Sequence, residues 1–508
     1  MVGKVFSCGL SGIRGRMITI EVDVSNGLPA YETVGLPDKA VSESKERIRA
    51  AIRNSHFQLP PRRITVNLAP ANLRKEGSVY DLPIALGLLQ ATGLLGNVHL
   101  QDCVVVGELS LDGEIRPIHG VLSMAMTAKK EGFRRFICPQ SNAVEAAYID
   151  GLDIIPAASL LDLCEGLMGY RLLETQQKIP WKPNNQAKSN DFSLIRGQFL
   201  AKRAVEIAAT GGHNVLMVGA PGTGKSMLAK AIPTILPDLS FEEALEITCI
   251  HSVAGHLQQG QLADTRPFLS PHHSASVPSL VGGGAMAKPG DISMAHQGVL
   301  FLDEMPEFQR NVLEALRQPL EDGEITVSRV HASETYPANF MLIGAMNPCP
   351  CGYYGSTQKS CHCLPKRIAQ YRARLSGPLL DRIDLFVAMD EIGFQDFYGQ
   401  GESANESSQS IRERVNAGRK IQRMRLQACN IHCNAQMQQN EIERFCQLDA
   451  EAKDMYQYAF EQNHLSGRAH ARTLRLARTI ADLAQSERIA EAHLAEALQY
   501  RSFDRLWS

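Results

Sequence analysis

The sequence has no uninterrupted apolar run long enough to cross a membrane: its longest oily stretch, Leu82 to Leu95, is broken by Gln90 and Thr92. Its N-terminus, MVGKVFSCGLSGI, has neither an apolar core nor a small-residue cleavage signal. We therefore expect no membrane span, no signal peptide and a cytoplasmic location. Charge of one sign is also missing, since 52 Lys+Arg meet 54 Asp+Glu for a net charge of −2. That balance excludes a polycation that binds nucleic acid through bulk charge and leaves only local basic clusters for such contacts. With 25 Pro in 508 residues and 44% hydrophobic residues, disordered and fibrous classes are excluded as well. Twelve cysteines without an export signal should be mostly reduced, which rules out a disulfide-stapled miniprotein. Eight of them are scattered like structural thiols, and four form a cluster.

A chain of this length should hold two to four domains, each with its own core. From residue 1 to 173, short β-like runs (MITIEVDV, RRITVNLAP, DCVVVGELS, RRFICP) alternate with helical stretches, which predicts an α/β domain. Residues 174–190 lose periodicity and collect Pro, Asn, Gln and Lys, so they are the expected linker. A second α/β block, 191–393, is followed by a polar stretch and then a helix-rich tail, 411–508.

The strongest motif is GAPGTGKS, comprising Gly219, Ala220, Pro221, Gly222, Thr223, Gly224, Lys225 and Ser226. It follows the strand-like NVLMVGA and precedes the helix-like MLAKAIPTIL, the context a phosphate loop requires. Glycines let backbone N–H groups wrap phosphates at a helix N-terminus. ATP is the expected ligand: Lys225 should reach its β- and γ-phosphates, and Ser226 should ligate Mg²⁺. The run GVLFL ends in Asp303 and Glu304, which we assign to the metal shell and to the general base. NFMLIGAM ends in Asn347, an amide placed to orient water or the γ-phosphate. Arg382 and the helical arginines Arg468, Arg472, Arg475 and Arg478 are candidates to stabilise charge on the transferred phosphate, although arginines in such runs are commonly surface charges.

Cys349, Cys351, Cys361 and Cys363 form two CxC pairs around a loop with Gly and Tyr. Four thiolates suit a tetrahedral structural Zn²⁺, with His362 able to replace one; free thiols or a redox pair are the alternative. The run Arg412–Arg425 carries six basic residues against Glu413, and reads either as a solvated helix face or as a surface that tracks phosphates.

Together the phosphate loop, LFLDE, AMNP, LLDRID and a late helical arginine resemble an AAA+ ATPase of the magnesium-chelatase-like branch. RPFLSPHHSASVPSLVGGG, VLEALRQPLEDGEITVSR and NPCPCGYYG are similar to the ComM/YifB family of bacterial proteins. The resemblance implies that Asn347 is the first sensor, Arg382 a trans-acting arginine finger and Arg468 the second sensor, with Arg472 left open for that role. It places Ile195–Gln198 near the adenine base, a pore-facing insertion between Lys225 and Asp303, and a hairpin over 321–329. Lys359, Lys366, Arg367 and Arg329 become candidate DNA contacts.

The N-terminal block, through ANLRKEGSVYDLPIALGLL and GELSLDGEIRPIHGVL, resembles the Lon-protease (ribosomal S5 domain 2-like) fold. Matching Lys75, Glu76 and Gly77 to the protease motif puts Val79 at the nucleophile and Leu122 at the activating lysine. Neither side chain can do that chemistry, which leaves only Ser78 with Lys75 as a rearranged dyad. The family implies a hexameric helicase that moves single-stranded and branched DNA, promoting branch migration during natural transformation or recombination. An ATPase subunit of a metal chelatase, a protein-remodelling ATPase and a non-enzymatic scaffold are the rival readings.

Overall fold

The computed structural model describes residues 2–75, 77–96, 98–184, 190–256, 261–284, 287–328, 333–391, 406–429, 431–462 and 466–501. The chain forms two compact units. One comprises Met1–Lys182 with Ala244–Ala263, the other Pro183–Glu243 with Asp264–Ser508.

The first unit is built on seven strands: β1 (Val2–Ser11), β2 (Arg14–Ser25), β3 (Ala30–Val34), β4 (Arg63–Ala69), β5 (Cys103–Val105), β6 (Arg135–Pro139) and β7 (Asp153–Ala157), in the order β3-β4-β2-β1-β5-β6-β7. β4 alternates buried and part-exposed residues along RITVNLA, the period of a strand with one covered face. The helix α1 (Lys39–Asn54) starts where Asp38 Oδ1 accepts from Val41 N at 2.7 Å, and it turns Val41, Ile48, Ala51 and Ile52 inward. The helix α2 (Asp81–Ala91), DLPIALGLLQA, is apolar on nearly every side and almost wholly buried against β1 and β2. Gly87 permits that approach, because a Cβ there would stand 2.8 Å from Val22 Cγ2.

Residues 244–263 lie within the block that sequence periodicity assigns to the ATPase, yet they cluster with this first unit. The physical reason is a set of buried partners. Cys249 Sγ is 3.7 Å from Met126 Sδ, and Ser252 Oγ donates to Glu145 Oε1 at 2.6 Å while accepting from Gly120 N at 3.0 Å.

The second unit contains a parallel sheet of β8 (Val215–Val218), β9 (Phe268–Leu269), β10 (Val299–Leu302), β11 (Met341–Met346) and β12 (Leu385–Ala388), ordered β9-β10-β11-β8-β12. β8, β10 and β11 are buried on both faces, as their unbroken apolar runs VLMV, VLFL and MLIGAM require. The C-terminal helices Ser408–Leu426, Gly467–Leu483 and Glu491–Gln499 share one core with this sheet, in which Val415, Leu476 and Leu494 join Val215 and Ile343. The helical tail therefore folds within the unit of the sheet rather than as a core of its own.

Candidate functional site

β8 runs out at Val218, and the chain turns through Gly219–Gly224 into the helix Lys225–Ala231. Gly222 and Gly224 take φ of +85° and +89°, conformations a side chain would strain. The turn leaves the helix N-terminus at the C-terminal edge of the parallel sheet, where open α/β sheets receive ligands. Because β11 lies between β8 and β10, Asn347 at its end stands between the loop and Asp303. Lys225 is 9% exposed, and its Nζ donates to Gly219 O (2.6 Å), Ala220 O (2.8 Å) and Asn347 Oδ1 (3.2 Å). Ser226 Oγ donates to Asp303 Oδ2 at 2.6 Å.

Lys225, Ser226, Asp303 and Asn347 are thus brought together. Burial lowers the Lys225 ammonium to about 8, with the carboxylates of Asp303 and Glu304 pulling the other way. Its hydrogen bonds end on neutral oxygens, and among the described residues no carboxylate forms an ion pair with it. The Ser226 hydroxyl and Asp303 carboxylate are the hard oxygen donors that suit Mg²⁺.

Glu304 has φ +49°, a strained backbone for a non-glycine residue, and an exposed side chain whose Oε2 lies 3.8 Å from His273 Nδ1. His273 reaches Glu304 from a separate loop, a contact that no local spacing in the sequence encodes. In the sequence Gln198 is only one residue of a segment near the base. It is buried, and its Nε2 donates to Thr223 O (3.2 Å) and Asp390 O (2.6 Å), while its Oε1 accepts from Asp390 N (3.2 Å). It ties the glycine turn to the segment after β12.

At the opposite, N-terminal edge of the sheet a cavity of about 730 Å³ is lined by Arg266, Arg382, Arg419, Arg468, Arg472 and Arg475. Asn214, Gln297, Phe340 and Asp384, which precede β8, β10, β11 and β12, mark its place. Arg382 forms an ion pair with Glu321 and donates to Arg317 O at 3.0 Å. Arg468 lies 3.9 Å from Asp381, and Arg472 lies 3.9 Å from Asp384. Burial alone would raise the Asp384 carboxyl, but His213 and Arg472 beside it hold it far below the usual range. The Nε of Arg475 is buried without a hydrogen-bond partner. Arg382, Arg468 and Arg472 therefore line one cavity, each beside its own carboxylate, and Lys225, Ser226 and Asp303 are not among the residues that line it.

The four clustered cysteines also converge, with their sulfurs all within 4.8 Å of one another. Three pairs lie at 3.3 Å (Cys349–Cys351), 3.7 Å (Cys349–Cys361) and 3.5 Å (Cys351–Cys361). A tetrahedral Zn²⁺ with Zn–S of about 2.3 Å spaces its sulfurs by about 3.8 Å, so the donor set fits that ion. Cys351 is pulled down to about 6, first by the Tyr353 amide N–H and then by the neighbouring thiols.

Of the candidate DNA contacts, Lys366 and Arg367 are exposed on the helix Pro365–Arg372, and Lys359 lies over the Tyr353 ring at 5.1 Å. Arg329 lies outside the described residues. The basic run on the helix Ser408–Leu426 is neither a bare solvated face nor a free phosphate track, because most of its arginines are engaged. Arg414 pairs with Glu206 and Glu406, Arg423 with Glu243 and Arg425 with Asp482, while Arg419 donates to the carbonyls of Ala209 and His432.

In the first unit, Val79 and Leu122 are buried core residues. Lys75 is fully buried with Nζ donating to Pro70 O, whereas Ser78 Oγ donates to Glu108. Lys75 and Ser78 have separate partners and do not pair; Glu76 lies outside the described residues.

The parallel sheet with its glycine turn defines the core of a phosphate-loop nucleotide-binding protein, and the family matches narrow it to the magnesium-chelatase-like AAA+ class. Residues 191–397 match the family described as magnesium chelatase, subunit ChlI, residues 20–142 match subunit ChlI of Mg-chelatase, and residues 405–501 match the ChlI C-terminal family. The chain is 43% identical to competence protein ComM of Haemophilus influenzae, over 99% of this chain and 98% of the relative. It is 44% identical to the uncharacterized protein YifB of Escherichia coli, over 97% and 96%. A shorter match, 30% identical over 177 residues, covers 33% of this chain and 22% of the peroxisomal Lon protease homolog 2 of Caenorhabditis elegans. The chain belongs to the ComM/YifB family. Among the described residues no helix is long and apolar enough to cross a membrane.

Proposed function

We propose that this protein is a Mg²⁺-dependent ATPase that works in the cytoplasm as a hexameric ring, driving branch migration and integration of single-stranded DNA in transformation or recombination. The observation that carries the reading is Lys225, a buried cation bonded only to neutral oxygens and held beside Ser226, Asp303 and Asn347. In this reading the turn Gly219–Ser226 cradles the phosphates of ATP through its N–H groups, and Lys225 neutralises the β- and γ-phosphates. Ser226 and Asp303 hold Mg²⁺, which supplies charge neutralisation on the phosphate oxygens. Glu304 takes the proton of the attacking water, and Asn347 orients that water. Arg382 acts on the nucleotide of the neighbouring copy, a role supported by the arginine cavity lying at the other edge of the sheet, and Arg468 or Arg472 serves as the second sensor.

DNA as substrate is supported by the naming of the ComM relative as a competence protein and by the exposed Lys366 and Arg367. The first unit acts as a Lon-like binding domain, with Val79 and Leu122 where the protease has its dyad, and the cysteine loop holds a structural zinc. A second reading, a chelatase-like ATPase that remodels a partner protein, is favoured by the three ChlI matches.

Steady-state ATP turnover with and without forked DNA at low salt separates the two. DNA should stimulate turnover, and the effect should fade as salt rises and weaken when Lys366 and Arg367 are both changed to Ala. Lys225→Ala should abolish turnover, while Glu304→Gln should bind ATP and turn over on the order of 10²-fold more slowly. Turnover indifferent to every DNA would favour the protein-remodelling reading, and normal turnover in Lys225→Ala would sink the site itself.

A further inference from the structure

We propose that the cysteine loop is a positioning device for the phosphate loop, so that thiolates held by a metal set the affinity of the ATP site. The inference rests on the zinc reading of the four cysteines and adds a role to it. From Pro348 to Leu364 the chain forms no helix or strand, and on its own it has little to fix its shape. Yet it reaches the phosphate loop along three routes.

Gly352, at φ +88°, packs directly on Pro221: a Cβ there would lie 2.6 Å from Pro221 Cδ and 2.7 Å from Cγ. Cys349 follows Asn347, whose Oδ1 accepts from Lys225, and Cys349 O accepts from Gly352 N at 3.0 Å. The third route runs through Glu391, whose carboxylate accepts from Ser356 Oγ, Thr357 N (3.1 Å) and Gln358 N (3.3 Å). Glu391 adjoins Asp390, which exchanges hydrogen bonds with Gln198, and Gln198 donates to Thr223 O. Pro221, Thr223 and Lys225 are thus all coupled to one irregular loop, held within itself by short-range hydrogen bonds such as Gly352 N to Cys349 O and Ser356 N to Tyr353 O and by its four converging sulfurs. A metal bound there would fix the spacing of Cys349 and Cys351 and, with them, the placement of Gly352 against the proline.

Equilibrium binding of a fluorescent, non-hydrolysable ATP analogue to the full chain, read beside zinc content and far-UV circular dichroism, tests the idea. Stripping the protein with a zinc-selective chelator should raise Kd by on the order of tenfold while the helical spectrum is kept. Gly352→Ala should keep its zinc and weaken binding by a similar factor, because the added methyl displaces Pro221. Pro221→Ala introduced into Gly352→Ala should recover part of that loss, because it relieves the clash with Pro221 and leaves the backbone strain at φ +88°, a non-additivity that distant, independent sites do not show. Wild-type affinity in both the stripped protein and Gly352→Ala would overturn the proposal, as would strict additivity of the two substitutions. A wild-type protein free of zinc would overturn the metal's part separately, and the Gly352–Pro221 cycle would still decide whether the loop positions the site.

Discussion

Lys225 shows how one side chain prepares for a ligand that must bring the missing charge. Burial lowers it from 10.5 to about 8, so between those values the native protein binds fewer protons than the unfolded chain, and stability rises with pH across that window. A polyphosphate set against the ammonium favours its charged form and raises its pKa. Nucleotide binding at pH of about 8.5 should therefore take up a fraction of a proton, whereas near neutral pH this lysine contributes little. Calorimetry in buffers of different ionisation enthalpy would show it as a buffer-dependent heat that disappears in Lys225→Met; identical heats in all buffers would contradict the assignment. Lys225, Ser226 and Asp303 were legible in the sequence because loop glycines, lysine and strand-end carboxylate follow a local pattern. His273 beside Glu304, and Gln198 bonded to Thr223, were not, since those contacts exist only after separate loops meet.

The helix Gly467–Leu483 does two kinds of work along its length, and only its outline can be read from spacing. It begins where Ser466 Oγ accepts from Ala469 N at 3.2 Å, and its first half turns Arg468, Arg472 and Arg475 toward the cavity. Its second half is a buried ionic node. Asp482, fully buried, accepts from Arg478 Nε at 3.0 Å, from Arg425 at 2.8 and 2.6 Å and from Asn434 Nδ2 at 2.8 Å. Helical periodicity identifies the arginine row but does not encode that Arg478 is 2% exposed, because Asp482 and the carbonyls of Ser486 and Glu487 close around it only in the fold, where the helices Ser408–Leu426 and Glu491–Gln499 both pack on this one. The node takes up one charge of the basic run on the helix Ser408–Leu426, Arg425, while Arg414 and Arg423 meet Glu206, Glu406 and Glu243, so much of the run is engaged within the fold. Asp482→Ala leaves two guanidinium groups without their carboxylate and should cost about 3–5 kcal/mol of stability. Urea denaturation reads that loss directly, and a change below about 0.5 kcal/mol, as for an ordinary surface site, would show that the node is not structural.

At the scale of the whole molecule, the alternation of β-like and helical runs was enough to recognise two α/β cores and a helical tail. It could not show that Ala244–Ala263 leaves the second unit, because a helix buries the same stripe whichever core receives it. What assigns the segment is chemistry that no period encodes. Glu145, its carboxyl raised by burial, accepts from Ser252 Oγ and from Leu122 N, and Ser252 in turn accepts from Gly120 N. Trp181 Nε1 donates to Ala263 O at 3.1 Å, closing the far end of the excursion. A fragment of residues 1–182 alone would lose the Ser252 hydroxyl that Glu145 and the Gly120 amide share, and would open to water the apolar surface against which Ile247, Cys249 and Ile250 are buried. Each lost hydrogen bond is worth on the order of 1 kcal/mol and each buried aliphatic contact made wet about as much again, together a large share of the stability of a domain this size. The fragment should therefore melt well below the same fragment carrying residues 244–263 as a covalent extension, and it should bind a hydrophobic dye that the extended form excludes. Ser252→Ala in the extended form should move its melting part of the way toward the bare fragment. Equal melting of the bare and extended fragments would mean that the N-terminal core is complete without the excursion, and that the Glu145–Ser252 pair holds the segment down without supporting the fold beneath it.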